Sequence, residues 1–140
     1  QAKDSVNPLS MLVYMGAVAN GGRAAVPRLI HRSDASLIPA SWGARRTGTL
    51  IAPDTAQILS DMMAYNVTSN YGSSRFGNLD MGAKSGTAEV GADQKPHAWF
   101  AGFVREAEHP YAFVVLVENG GSGSQAAGDV AAAVLSAAVG

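Results

Sequence analysis

Three strand-forming segments follow one another in the second half of the chain and limit its fold more than any other feature. They cover Met81 to Glu89, Ala98 to Arg105 and Tyr111 to Glu118. The stretch from Glu106 to Pro110 has the length of a hairpin connection, so the second and third strands are predicted to pair antiparallel. An alanine-rich segment from Ala126 to Ala138 predicts a closing helix. Helices placed before and after a run of antiparallel strands are typical of an α+β fold rather than of a doubly wound parallel sheet.

The first half of the chain predicts two helices joined by irregular segments. The first helix runs from Pro8 to Asn20, with Asn7 as its N-cap and apolar side chains at helical spacing. The second begins at Pro53 and extends to about Asn66. The segment from Ser33 to Arg46 shows no clear period and is predicted to be a loop with a strand fragment. The segment from Thr68 to Asn78 is predicted to be a polar loop.

The second predicted helix carries an apolar face that includes two methionines. Its members recur at spacings near three and four residues, and they are Ile58, Leu59, Met62, Met63 and Tyr65. Methionine adapts well to irregular gaps in a core. We therefore expect this face to pack into the hydrophobic core.

The composition excludes several classes of protein. The chain has ten Lys and Arg residues and eleven Asp and Glu residues, which give a net charge of −1. This balance argues against a dedicated nucleic-acid binder, which would carry a basic patch. The absence of cysteine rules out thiol catalysis, disulfides and Cys-ligated zinc. The three histidines, His31, His97 and His109, lie far apart, so no metal site is predicted. No apolar run reaches the roughly 20 residues of a transmembrane helix, so no membrane segment is expected in this chain.

Two glycine-rich stretches come close to nucleotide-binding motifs but lack an essential part of each. Gly121-x-Gly123-x-x-Ala126 follows a strand and opens a helix, yet no later strand or acidic ribose ligand follows it. The stretch from Gly77 to Ser85 nearly matches a phosphate-binding loop, but Ala83 separates the second glycine from the lysine. We therefore expect neither a nucleotide nor another cofactor.

A short polar motif on the first of the three strands carries the strongest chemical signal. Lys84-Ser85-Gly86-Thr87 places a cation, two hydroxyl groups and a glycine on consecutive positions. The period of two sends Lys84 and Gly86 to one face and the two hydroxyls to the other, although twist and bulges at a sheet edge can bring both sets to one cleft. Cation, hydroxyl and backbone N–H groups together suit a substrate with a carboxylate and a reacting carbonyl. Gly86 would let a ligand backbone lie directly against the strand.

In this setting the sequence resembles the penicillin-binding proteins, the D,D-transpeptidases of peptidoglycan synthesis. Lys84-Ser85-Gly86-Thr87 is similar to their third motif, Lys-[Ser/Thr]-Gly. The similarity covers nearly the whole chain in the family's order, through the stretch from Gln1 to Gly22, the helix from Pro53 to Tyr65, the strand Ala98-Trp99-Phe100-Ala101-Gly102 and the strand from Tyr111 to Glu118 with the helix after it. The resemblance implies the α+β fold of the penicillin-binding and serine β-lactamase-like transpeptidase domain, in its C-terminal part, where antiparallel strands pack against a C-terminal helix.

Two motifs of the family are missing from the sequence. No serine stands three positions before Lys84 or Lys95, and Lys3 is too early for one, so the family's Ser-x-x-Lys with its nucleophile is absent. Ser5-Val6-Asn7 matches Ser-x-Asn, but the family places that motif well before the helix that begins here at Pro8. We therefore interpret residues 1–140 as an incomplete, C-terminal half of a transpeptidase domain. Without a nucleophile, the chain alone is not expected to be an active enzyme.

The resemblance also assigns roles to the motif. Lys84 would set the electrostatic field of the cleft and help order its proton network, while the Ser85 and Thr87 hydroxyls would hold the carboxylate of the substrate or of a β-lactam. The backbone N–H of Thr87 would be one oxyanion donor. The catalytic candidates are thus Lys84 and Thr87, and the substrate-binding candidates are Lys84, Ser85, Gly86 and Thr87. Trp99 is expected in the core or the cleft wall.

The implied parent protein crosslinks peptidoglycan outside the cytoplasmic membrane, to which it would be anchored by a part outside this chain. Its partners would be stem peptides ending in D-Ala-D-Ala, β-lactams and the N-terminal half of the same domain. A β-lactamase or D,D-carboxypeptidase fragment, or a catalytically silent module that binds β-lactams or peptides, is the alternative. Because the family's first strands are absent, the strand from Tyr111 to Glu118 would expose an edge, and we expect self-association there.

Overall fold

The structure, a computed structural model, describes residues 5–28, 43–91 and 93–139, together with the backbone of residues 32–33 and 40–41. The helices and strands of these parts are α1 (Pro8–Ala19), β1 (Arg32–Ser33), β2 (Ala40–Ser41), α2 (Pro53–Asn66), β3 (Met81–Ala88), β4 (His97–Val104), β5 (Ala112–Val117) and α3 (Gly128–Val139). His31, Lys3 and much of the predicted loop between Ser33 and Arg46 lie outside the described residues.

The three long strands form one antiparallel sheet in the order β3-β4-β5. Lys84 lies opposite Ala101 and Gly86 opposite Trp99, while Trp99 also lies opposite Leu116 on the third strand. The predicted α+β fold and all three strands are therefore confirmed, with strand ends shifted by about one residue as is usual for such boundaries. Within this sheet β3 and β5 are the two edges, and β4 is the central strand.

The sheet is covered on both faces. One face packs against α3 and the turn before it, and the core there contains Phe100, Met81, Ala131 and Leu135, all buried. The other face meets α1 and α2. The terminal helix is thus packed on the sheet as predicted, although a π-helical turn at Gly123–Ala127 precedes it, so that the helical segment begins earlier than expected.

Local sequence signals explain where α1 begins and ends. The Asn7 side chain accepts a hydrogen bond of 2.8 Å from the backbone N–H of Leu9, as an N-cap does. After the helix, Gly21 and Gly22 adopt φ values of 60° and 91°, a region that other residues avoid. The predicted first helix is confirmed. Asn7 of the rejected Ser5-Val6-Asn7 candidate is thus the N-cap of α1.

Two predictions for the middle of the chain are wrong: the polar loop after α2 and the burial of the apolar face of α2. The segment from Thr68 to Asn78 is not a plain loop, since a π-helical turn spans Val67–Tyr71 and a 3-10 turn spans Ser73–Phe76. Polar composition concealed these turns, which are held by tertiary contacts such as the 2.6 Å ion pair between Arg75 and Asp129 of α3.

The apolar face of α2 does not enter the core as a whole. Ile58, Met62 and Tyr65 are exposed, and the buried positions of α2 are Ala56 and Ser60. The helix packs closely on β3, where a Cβ atom on Gly82 would stand 3.0 Å from the Cβ of Met63. The larger side chains are left beside the sheet, where several of them line the cleft described next.

Candidate functional site

The polar motif lies on β3 at the free edge of the sheet. The backbone N–H of Ser85 points away from β4, because it donates a hydrogen bond of 2.8 Å to the Tyr71 hydroxyl. The carbonyl of Ala83 faces the same side and accepts 2.9 Å from the Asn66 side chain. Backbone direction alternates along a strand in an antiparallel pair. The N–H of Thr87, two residues beyond Ser85, therefore points toward the same free edge.

The four motif side chains alternate between the faces of the sheet as their period requires. Lys84 and Gly86 share a face with Trp99, while Ser85 and Thr87 lie on the opposite face. The exposed Lys84 ammonium bends back along its own strand and donates 2.7 Å to the carbonyl oxygen of Ser85. All four residues nevertheless border one cleft. The structure thus brings the predicted substrate-binding residues together at one edge, and their roles there stay predictions.

The cleft beside the motif has a volume of about 800 Å³, within the range of small-molecule sites. Its walls are mostly apolar and come from the segment before α1, from α1, α2, β3 and β4. Trp99 is half-buried in the wall, in agreement with the sequence-based expectation. Much of the remaining lining comes from side chains that the sequence had suggested for the core, among them Leu59, Met62, Met63 and Tyr65.

Three polar residues at the motif were missed by sequence reasoning. The Asn70 side chain donates a hydrogen bond of 2.8 Å to Oδ1 of Asn66, and Nδ2 of Asn66 donates to the Ala83 carbonyl of β3. Tyr71 contacts Ser85 at two atoms. These residues lie at the end of α2 and on the π-helical turn after it. The spacing of four between Asn66 and Asn70 is that of neighbours on a helix face, but the segment was predicted to be a polar loop.

The Tyr71 hydroxyl has a shifted acidity. Burial raises the pKa of Tyr71, but hydrogen bonds with Ser85 and Asn66 and the positive charge of Lys84 outweigh burial, so the pKa lies below its ordinary value. The ring is fixed by an edge-to-face contact with Phe100, with 5.1 Å between centroids. Tyr71 is therefore both anchored in the core and polarised at the motif.

A second close contact holds the motif from the α3 side. The backbone N–H of Gly123 donates 3.3 Å to the Thr87 hydroxyl. A Cβ atom on Gly123 would stand 2.1 Å from the carbonyl oxygen of Gly86 and 2.7 Å from that of Trp99. Gly86 is itself confined, because its own Cβ would lie 3.3 Å from the Trp99 Cβ. Glycine at both positions allows the turn, the motif strand and Trp99 to meet.

The other candidates take no part in this constellation. His97 accepts 3.0 Å from the backbone N–H of Asn119, and His109 stacks on Tyr111 at the far hairpin. Ala83 and Lys84 lie in a strand, so the near match to a phosphate-binding loop does not form a loop. Among the described residues, no group of three or more His, Asp or Glu side chains is placed to hold a metal ion. In the same parts of the chain, no helix has the length and apolarity needed to cross a membrane.

Comparison with known proteins gives one consistent result. Residues 1–139 match the family model of the penicillin binding protein transpeptidase domain. The peptidoglycan D,D-transpeptidase PbpA of Mycolicibacterium smegmatis is 31% identical over an alignment of 137 residues that covers 92% of this chain and 27% of that protein. PbpA of Mycobacterium tuberculosis is 30% identical over an alignment of 143 residues that covers 96% of this chain and 28% of that protein. The chain thus spans little more than a quarter of the length of these curated relatives.

Solved structures agree with the sequence matches. The ceftriaxone acyl-enzyme complex of penicillin-binding protein A from M. tuberculosis has a TM-score of 0.88 and 26% identity, covering 100% of this chain and 34% of that one. The D,D-transpeptidase domain of a peptidoglycan glycosyltransferase from Eggerthella lenta has a TM-score of 0.75 at 23% identity, covering 94% and 32%. This second likeness concerns the fold alone.

Proposed function

This chain belongs to the penicillin-binding protein transpeptidase family, and we propose on that premise that it is the C-terminal part of a transpeptidase domain and one wall of its acyl-transfer cleft. The observation that carries the proposal is the position of Lys84-Ser85-Gly86-Thr87 at the free edge of β3, beside a cleft of about 800 Å³. At this edge the backbone N–H of Thr87 points outward to a substrate, and the motif adds a cation and two hydroxyls.

The reaction proposed for the complete domain is D,D-transpeptidation. A serine outside residues 1–140 attacks the carbonyl carbon of a D-Ala-D-Ala peptide bond. The bond to nitrogen breaks, the terminal D-alanine leaves with a proton on its amine, and the acyl group remains on the serine as an ester. The amine of a neighbouring stem peptide then attacks this ester, forms the crosslinking amide and returns the serine to its protonated form. A β-lactam acylates the same serine when its ring amide opens.

The motif residues act on charges that form or persist during this reaction. The Lys84 ammonium contributes positive potential at the cleft and helps order its proton network. The Ser85 and Thr87 hydroxyls hold the terminal carboxylate of the acyl donor. The N–H of Thr87 stabilises the oxyanion, and loss of one such donor typically lowers the rate by about 10²–10³-fold.

The proposed substrate determines where the parent protein acts. Peptidoglycan stem peptides are crosslinked outside the cytoplasmic membrane, so the parent protein acts on its outer face and is anchored there by a part other than this chain. The N-terminal half of the domain supplies the nucleophile. β5 is an edge of the described sheet with half-buried apolar side chains, which supports pairing of this edge with further chain.

The experiment is to locate the acylated residue. The full-length protein that carries this chain is incubated with penicillin G, digested and mapped by mass spectrometry. We expect one stoichiometric adduct on a serine outside residues 1–140. Lys84→Ala is expected to slow acylation by about 10²-fold, whereas Lys95→Ala, an exposed lysine in the loop before β4, leaves the rate unchanged. An adduct on a serine within residues 1–140, or no adduct on the full-length protein, would contradict the proposal.

A further inference from the structure

Tyr71 makes two hydrogen bonds to Ser85, the second residue of the motif. Its hydroxyl accepts the backbone N–H of Ser85 at 2.8 Å and donates its own proton to the Ser85 Oγ at 2.9 Å. One phenol group thus engages both the main chain and the side chain of the same residue. The residue belongs to the π-helical turn Val67–Tyr71, fourteen positions before Ser85 in the chain.

These two bonds fix the direction of the Ser85 hydroxyl. A serine hydroxyl has one proton to donate and two lone pairs that accept. Because one lone pair is occupied by the Tyr71 proton, the hydroxyl's own proton must point elsewhere. Among the described residues, no acceptor for that proton is found, so it is available to a ligand in the cleft.

Thr87 repeats the arrangement with a different partner. Its Oγ1 accepts 3.3 Å from the backbone N–H of Gly123, and it lies on the same face of β3 as Ser85. Both hydroxyls therefore accept from the protein and keep their protons for a ligand. Two such donors, near the Lys84 ammonium, favour an anionic acceptor over a neutral one, because hydrogen bonds to an ionised partner are about twice as strong.

We propose that Tyr71 is a positioning residue that turns the Ser85 hydroxyl into a hydrogen-bond donor for the carboxylate of the acyl donor. The inference rests on the proposed function and deepens it, since it names what selects for a carboxylate at that cleft. Without the Tyr71 hydroxyl, Ser85 is free to rotate and to donate elsewhere, and its backbone N–H loses its partner. A carboxylate then gains less from the site, whereas a ligand without a carboxylate is little affected.

The test compares, for each variant, the acylation rate of a ligand with a carboxylate and that of a ligand without one. Second-order acylation rates of the full-length protein are measured with penicillin G and with its methyl ester, which lacks the negative charge. The ratio of the two rates is the carboxylate preference. An unfolded fraction lowers both rates equally and leaves the ratio unchanged, so the ratio reports on the site rather than on stability.

Tyr71→Phe keeps the ring that contacts Phe100 and removes only the hydroxyl. We expect it to lower the carboxylate preference by about tenfold, the effect of one hydrogen bond to a charged group. Tyr71→Leu, which also lacks the hydroxyl but packs differently, is expected to lower the preference by a similar factor. Tyr14→Phe removes a hydroxyl from an exposed tyrosine of α1 and serves as the matched control with an unchanged ratio.

Ser85→Ala tests whether Tyr71 acts through the Ser85 hydroxyl. It removes the hydroxyl that Tyr71 orients, so adding Tyr71→Phe to it is expected to change the preference by less than about twofold. If Tyr71→Phe and Tyr71→Leu both retain the preference of the wild type, the inference is wrong while the proposed function stands. If the wild-type full-length protein is not acylated by penicillin G at all, the proposed function fails and the inference fails with it.

Discussion

Substitution of Gly123 by alanine tests how tightly the motif strand is held. Gly123 has no positive φ, so alanine could adopt its backbone conformation, and the cost is steric. Its Cβ would stand 2.1 Å from the Gly86 oxygen, 1.3 Å short of the 3.4 Å at which ordinary contact begins. The Trp99 oxygen at 2.7 Å blocks a second direction. Both obstructing atoms belong to the backbone of paired strands, so neither can move by a side-chain rotation.

The expected loss of stability follows from these distances. Overpacking costs about 1–3 kcal/mol, and backbone obstruction places Gly123→Ala near the upper end. Glycine to alanine also stabilises by about 0.4–1 kcal/mol through the unfolded chain. We therefore expect a net loss of about 2 kcal/mol, or roughly a 30-fold change in the unfolding equilibrium. Because the turn must shift, the bond from Gly123 to the Thr87 hydroxyl is also expected to break.

Urea unfolding of the full-length protein measures the first effect, with the midpoint compared at a constant slope. Gly48→Ala is the matched control, since a Cβ there meets nothing within 4 Å and its φ is not positive. The control should equal the wild type or exceed it by up to about 1 kcal/mol. Equal midpoints for Gly123→Ala and Gly48→Ala would refute the claim that this turn presses on the backbone of the motif.

Three further predictions concern the core, the cleft and the sheet edge. Phe100→Ala should destabilise by about 3–5 kcal/mol because Phe100 is fully buried, whereas Ile58→Ala on the exposed face of α2 should stay within about 0.5 kcal/mol, and equal losses would contradict the burial pattern. In an ultraviolet titration of phenolate, Tyr71→Phe should remove a signal that ionises below the ordinary tyrosine pKa, and superimposable curves for the wild type and the variant would refute the shift. Because folding lowers the pKa of Tyr71, stability should rise slightly as the pH increases from that lowered pKa toward the ordinary value. The isolated chain should self-associate through β5, and a monomer in sedimentation at tens of micromolar would argue against the exposed edge.

The strands were predictable because their signal is local. Aromatic residues mark β4 and β-branched residues mark β5 within the chain itself, and the short connection after Val104 fixes the direction of β5 relative to β4. The period of two along a strand placed Lys84 and Ser85 on opposite faces correctly. By contrast, the apolar face of α2 was assigned to the core because helical periodicity shows which residues share a face. It does not show whether that face meets the sheet or an open cleft.

The residues that orient the motif were not predictable for a related reason. Tyr71 and Gly123 reach β3 from turns that lie before and after the sheet in the chain. Tyr71 contacts the strand through two hydrogen bonds and Gly123 through one, not through a repeating pattern. A polar segment and a glycine-rich loop give no sign of such contacts. Only the packing of Tyr71 on Phe100 and the close approach of Gly123 to Gly86 bring them to the strand.

Residues outside the motif can change what the site prefers to bind. In the proposed function, the motif strand supplies the groups that bind the carboxylate of an acyl donor, but its two hydroxyls can act as donors or acceptors until a neighbour occupies their lone pairs. Here the neighbours are a phenol on a π-helical turn and a backbone N–H at Gly123. Changes in those turns can therefore alter ligand preference while Lys84-Ser85-Gly86-Thr87 stays the same. Comparing the motif alone would miss such a change, because the information lies in the contacts that direct its protons.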